Sequence, residues 1–203
     1  MLQRIKKIIT GLAMAATLYA ASCMSNIQPA YNLSQNSATI RLEGSSKLTD
    51  KVKCYGFTDV DAVEDSADLE NFYAEARLSY SINDILALAA EYNGGNNLED
   101  TVRLGFVVTP KTFKGNFTMF KFYPYETNGS KGPQVCFFTS QELTDKIIAC
   151  LTVDYNIDLE TISIEPELDY KVNERLTAFL QGRRFGPIDN NIDFALLIGV
   201  KCK

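Results

Sequence analysis

The sequence predicts an all-β chain: an up-and-down antiparallel transmembrane β-barrel of about twelve strands, with ten as the alternative count, preceded by a signal peptide. Three observations predict it. Apolar and polar residues alternate with a two-residue period in segment after segment. One turn sequence recurs four times between those segments. The first 22 residues read as an export signal.

The export signal comes first in the chain. Arg4, Lys6 and Lys7 precede an apolar run from Ile8 to Ala20, and Ala20-Ala21-Ser22 supplies small residues for cleavage. The run is too short and wrongly flanked to be a transmembrane helix. Cys23 follows directly, so lipid anchoring at Cys23 is an alternative form of processing. Residues 1–22 are thus expected to be removed, leaving 23–203 as one barrel domain. The signal carries three of the 20 basic residues and none of the 25 acids, so the mature chain has a net charge of −8. That disfavours a nucleic-acid partner.

The alternating segments follow. Ile27–Ser34 is the least regular and makes the twelfth strand, since a closed meander with both termini on one side needs an even count. Ala38, Ile40 and Leu42 then oppose Thr39, Arg41 and Glu43. In the hairpin 72–92, Phe72, Ala74, Ala76, Leu78 and Tyr80 oppose Tyr73, Glu75, Arg77 and Ser79. On its return arm Leu86, Leu88, Ala90 and Tyr92 oppose Ala87, Ala89, Glu91 and Asn93. Val102, Leu104, Phe106 and Val108 oppose Thr101, Arg103 and Gly105. The segment 147–155 sets Cys150, Thr152 and Asp154 against an apolar column, and 162–170 sets Ser163, Glu165, Glu167 and Asp169 against another. The last two, 176–183 and 192–201, carry Thr177, Gln181 and Arg183, then Asp193 and Lys201, on their polar sides. Segments 52–60, 116–125 and 133–141 alternate less clearly, and their facing stays open.

In the segments Lys47–Val52, Ser81–Leu86, Glu142–Ile147 and Lys171–Leu176 the recurring turn reads, from the second residue on, aliphatic, Thr or Asn, acid, a fifth residue that is usually basic, aliphatic. Near-copies of one turn imply a repeated hairpin. With the first strand pointing away from the termini, these turns and that at 109–114 share one side. The longer segments at 61–70, 94–100, 126–132, 156–160 and 185–190 share the other. A soluble β-sandwich with one wet face would write the same alternation. The barrel reading is favoured by this asymmetry of loops and by tyrosines at the ends of apolar columns: Tyr80 and Tyr170 near the turns, Tyr92 and Tyr155 near the loops.

On these features, over essentially the whole mature length, the chain resembles the small outer-membrane β-barrels and porins of Gram-negative bacteria. The resemblance implies a cell outer-membrane location, outer-membrane lipid and small solutes or ions as partners, and passive diffusion through a charged lumen. The expected lumen residues are Arg41, Glu43, Glu75, Arg77, Glu91, Arg103, Asp154, Glu165, Glu167, Asp169, Arg183, Asp193 and Lys201. One feature departs from the pattern: such barrels usually end on an aromatic residue, whereas this chain ends Val200-Lys201-Cys202-Lys203. The alternatives are a non-conducting structural or surface-interaction barrel, and a secreted soluble β-sandwich or lipoprotein. The oligomeric state is left open by the sequence.

Chemistry beyond passage is not indicated. The chain has no histidine, which removes Ser-His-Asp and Cys-His catalysis and histidine-ligated metals. The acidic stretch Asp61–Glu70 lacks the spacing of a calcium loop. Glu165 and Glu167 share a face, as glycoside hydrolysis would require, but such pairs are common on wet strands. No enzyme, cofactor or metal is expected. Cys136 and Cys150 fall on adjacent strands and one face, a candidate disulfide if the intervening turn is centred on Leu143.

Overall fold

A computed structural model describes residues 24–34, 36–63, 69–95, 98–127, 132–187 and 193–203. The signal segment and Cys23 lie outside these residues.

Twelve strands form in chain order: β1 (Met24–Asn32), β2 (Ser37–Lys47), β3 (Val52–Val63), β4 (Leu69–Ser81), β5 (Leu86–Gly95), β6 (Leu98–Val108), β7 (Asn116–Glu126), β8 (Gln134–Glu142), β9 (Ile147–Asn156), β10 (Thr161–Lys171), β11 (Leu176–Pro187) and β12 (Asp193–Cys202). Each pairs antiparallel with its neighbours in sequence, and β1 pairs with β12, so the sheet closes into a barrel. Closure corrects both the ten-strand count and the soluble-sandwich alternative. It also leaves no ladder edge unpaired, the condition for a sheet to stand in hydrocarbon. The acidic stretch 61–70 is not one loop: β3 runs to Val63 and β4 starts at Leu69.

The four repeated turns have one construction. In each, the Thr or Asn side chain accepts hydrogen bonds from the backbone N–H groups two and three residues ahead. Thr49 Oγ1 takes those of Lys51 and Val52, Asn83 Oδ1 those of Ile85 and Leu86, Thr144 Oγ1 those of Lys146 and Ile147, and Asn173 Oδ1 those of Arg175 and Leu176. The backbone closes alike, for example Leu48 N to Val52 O at 2.9 Å and Leu143 N to Ile147 O at 2.9 Å. The repeat therefore records a local requirement: a short acceptor that satisfies amides the turn cannot pair.

This turn also fixes register. Glu142 faces Ile148, so Cys136 pairs with Asp154 and Cys150 with Ser140. The turn is centred on Asp145, two residues past the centre a disulfide needs. The thiols are four residues apart along the ladder, roughly 13 Å, and neither is bridged. The candidate Cys136–Cys150 disulfide is thus corrected.

Side-chain burial is inverted relative to a soluble protein. Outward residues such as Ile40, Leu88, Leu104, Phe106, Phe120, Phe122, Leu180 and Ile198 are exposed, while the barrel interior buries Thr101 (0% exposed), Glu91 (1%) and Arg103 (4%). A largely apolar outer wall of this kind suits an apolar environment.

Taken once around the barrel, the pairings return to β1 displaced by about 16 residues. For twelve strands this corresponds to a tilt of about 45° and a backbone radius of roughly 12 Å. Inward side chains fill much of that width. Gly105 sits at the bulge between Leu104 and Phe106, where β7 crosses so close that a Cβ would run into the Phe122 carbonyl oxygen.

Candidate functional site: the barrel lumen

The lumen is organised by three sets of charges. On β4, β5 and β7, Lys121 lies 2.9 Å from Glu91 and 3.6 Å from Glu75, one cation between two carboxylates. The Tyr123 hydroxyl donates to Glu91 at 2.8 Å, and Asn93 Nδ2 lies 3.4 Å from the same side chain. Ladder register aligns Arg77, Glu91 and Arg103 in one row across β4, β5 and β6. On β2 and β3, Arg41 holds Asp59 through two hydrogen bonds of 2.6 Å, and beside it Gln28 donates to Glu43. On β10, β11 and β12, Lys201 donates to Glu167 at 2.6 Å and Asp169 at 2.8 Å, while Arg183 is ion-paired with Glu165 at 3.3 Å.

Of the residues expected in the lumen, Arg41, Glu43, Glu75, Arg77, Glu91, Arg103, Asp154, Glu165, Glu167, Asp169, Arg183 and Lys201 all occupy inward strand positions. Asp154 receives Gln134 Nε2 at 3.4 Å. Asp193 pairs with Phe185, and its side chain lies outside the described residues. Lys121, Asp59 and Tyr123 were not legible as lumen residues. They lie on segments whose alternation is blurred: β3 sets Tyr55 and Phe57 inward against Gly56 and Thr58 outward, and β7 carries aromatic rings on both faces. Counting strand parity from the Leu48–Val52 turn gives the facing of Asp59.

Two lysines each serve two carboxylates, and Glu43, Asp61 and Asp154 add to the acids, so the described lumen carries excess negative charge. Cys150, Glu167 and Asp169 bring donor atoms within 4.8 Å of one another, but the Lys201 ammonium already sits on both carboxylates. Near the turn side the lumen wall is apolar: Ala89, Val107 and Tyr123 are buried together, with Ala87 and Met119 packed on them.

Outside, Tyr80 and Tyr170 lie at the turn ends of β4 and β10, and Tyr92 and Tyr155 toward the loop ends of β5 and β9. Lys51 and Lys146, each on an adjacent turn, place their ammonium groups 5.9 Å and 6.0 Å from the centres of the Tyr80 and Tyr170 rings. Tyr92 donates to Asp100 at 2.8 Å. A ring between an apolar wall and a charged or polar group suits a water–hydrocarbon boundary.

The fold is shared with solved outer-membrane barrels. The KdgM porin, solved in complex with disordered oligogalacturonate, is 12% identical, with 88% of this chain and 98% of that one covered and a TM-score of 0.60. The NanC porin is 9% identical over the same shares, with a TM-score of 0.61. Outer membrane phospholipase A from Escherichia coli is 10% identical, covering 88% and 89%, with a TM-score of 0.66. No family model and no curated protein matches the sequence. At these identities the likeness is one of fold.

Proposed function

We propose that this chain is an outer-membrane β-barrel channel through which small solutes and ions diffuse passively along a charged, acid-rich lumen. The observation that carries the reading is the inverted barrel: paired charges inside, predominantly apolar side chains outside, and no ladder edge left open. Likeness to the KdgM and NanC porins adds support from the fold. In this reading residues 1–22 direct export, 23–203 form the mature barrel, and Tyr80, Tyr92, Tyr155 and Tyr170 mark its lipid interfaces. The lumen charges select for cations and neutral solutes. A hydrolytic role like that named for the Escherichia coli phospholipase is not proposed, because a chain without histidine lacks the usual base for a serine nucleophile.

Membrane fractionation with a gel-mobility assay tests the reading. The expected result is an outer-membrane band that resists SDS and shifts on boiling, and liposomes that leak a small neutral solute when the barrel is inserted. A freely soluble periplasmic protein would overturn it. A second reading, a non-conducting barrel, is favoured by the full burial of Tyr123 and near-full burial of Glu91. Membrane insertion without leakage would establish that reading instead.

A further inference from the structure

We propose that the lumen carries a stacking track for neutral oligosaccharides, formed by Tyr55, Phe57 and Tyr73. The inference rests on the channel reading and adds to it the class of solute.

Three consecutive aromatic side chains project inward from β3 and β4. The Tyr55 and Phe57 ring centres are 6.3 Å apart, and those of Phe57 and Tyr73 5.6 Å. Tyr73 pairs with Asp59, two residues further along β3 than Phe57, so the rings climb the wall in steps toward the loop mouth. All three are half-buried and keep surface in the bore. The spacing repeats on the scale of one sugar ring, so successive pyranose units could each meet a ring. A pyranose has an apolar C–H face that pairs with an aromatic face and a rim of hydroxyls that need donors and acceptors.

The rim has partners beside each ring. The Arg41 guanidinium stacks on Phe57 at 4.2 Å and is held by both Asp59 oxygens. Arg77 stacks on Tyr55 at 5.1 Å. The Tyr73 hydroxyl donates to Asn93 Oδ1, and Glu43 and Glu75 flank Phe57 in the ladder. Planar guanidinium and carboxylate groups fixed by one another suit vicinal hydroxyls, since neither has to be reoriented when a solute arrives. Tyr123, which fills the wall beside Ala89 and Val107, is fully buried, whereas these three rings keep surface in the bore. The excess of carboxylates selects against acidic sugars and leaves neutral ones.

The test uses the folded, detergent-solubilised barrel with maltotriose and trigalacturonate as probes. Saturation-transfer difference NMR is predicted to show contact for maltotriose, and the sugar to lower ionic current in bilayers. Tyr55→Ala and Phe57→Ala should each weaken maltotriose binding about tenfold. Phe57→Tyr should restore it, and Phe120→Leu on the outer wall should leave it unchanged, with boiling-sensitive mobility certifying the fold of each variant. No saturation transfer, tighter binding of trigalacturonate, or an unweakened folded Phe57→Ala would overturn the proposal. Ring-dependent binding without ionic current would sustain the track and refute the channel reading.

Discussion

Replacing Lys121 by methionine removes the cation that holds two inward carboxylates. The Lys121 side chain is 8% exposed, and its partners Glu91 and Glu75 are 1% and 12% exposed. The Tyr123 hydroxyl and Asn93 amide still reach Glu91, and Arg77 and Arg103 stay across the ladder from it, so the carboxylates lose their closest cation but not every cation. Breaking a buried pair on one side costs about 3–5 kcal/mol when the remaining charge is stranded, and the two arginines put the expected loss at the lower end, about 3 kcal/mol. By contrast Lys47–Asp50, with side chains 59% and 99% exposed, is a surface pair of the kind worth about 0–1 kcal/mol. Lys47→Met is therefore the control. Urea unfolding in lipid vesicles, followed by the boiling-sensitive gel band, should show a large loss for Lys121→Met and almost none for Lys47→Met. The double variant Glu91→Gln/Lys121→Met should lose less than the two single variants together, by about 2 kcal/mol or more. Equal midpoints for Lys121→Met and wild type, or strict additivity in the double variant, would refute the claim that this pair is desolvated.

Three further substitutions read other parts of the account. Leu104→Arg places a charge on the exposed outer wall at the middle of β6 and should destabilise the inserted barrel by about 2–4 kcal/mol; refolding yields equal to wild type would argue against lipid at that face. Gly105→Ala forces a Cβ against the β7 backbone and should cost about 1–3 kcal/mol, seen as a lower urea midpoint, with no change meaning that the bulge relaxes freely. Asn83→Ala deprives Ile85 and Leu86 of their side-chain acceptor and should cost about 1 kcal/mol. Asn83→Thr should recover part of it, because Thr49 and Thr144 do the same work in sister turns.

Much of the barrel is legible in the sequence because strand parity is a strict code. Once Glu75, Arg77 and Glu91 fall on one side of a hairpin and Leu78, Leu88 and Tyr92 on the other, closure decides which side is lumen. The repeated turn is legible for a chemical reason, its Thr or Asn acceptor. What could not be read is pairing across the bore. Lys121 bonds to Glu91, 30 residues away on a strand that is not its ladder neighbour, and Lys201 to Asp169 on the same terms. Such contacts depend on the tilt of the barrel. The Cys136–Cys150 expectation failed for a smaller reason: a turn centred on Asp145 instead of Leu143 moves the thiols apart by four residues.

The central claim, a lipid-inserted barrel with an acid-rich conducting lumen, is tested most directly by planar-bilayer recording across a salt gradient. The account predicts small, steady conductance steps whose reversal potential shows preference for cations, reduced by neutralising Glu165 and Glu167. Absence of conductance above background, or a preference for anions, would contradict it.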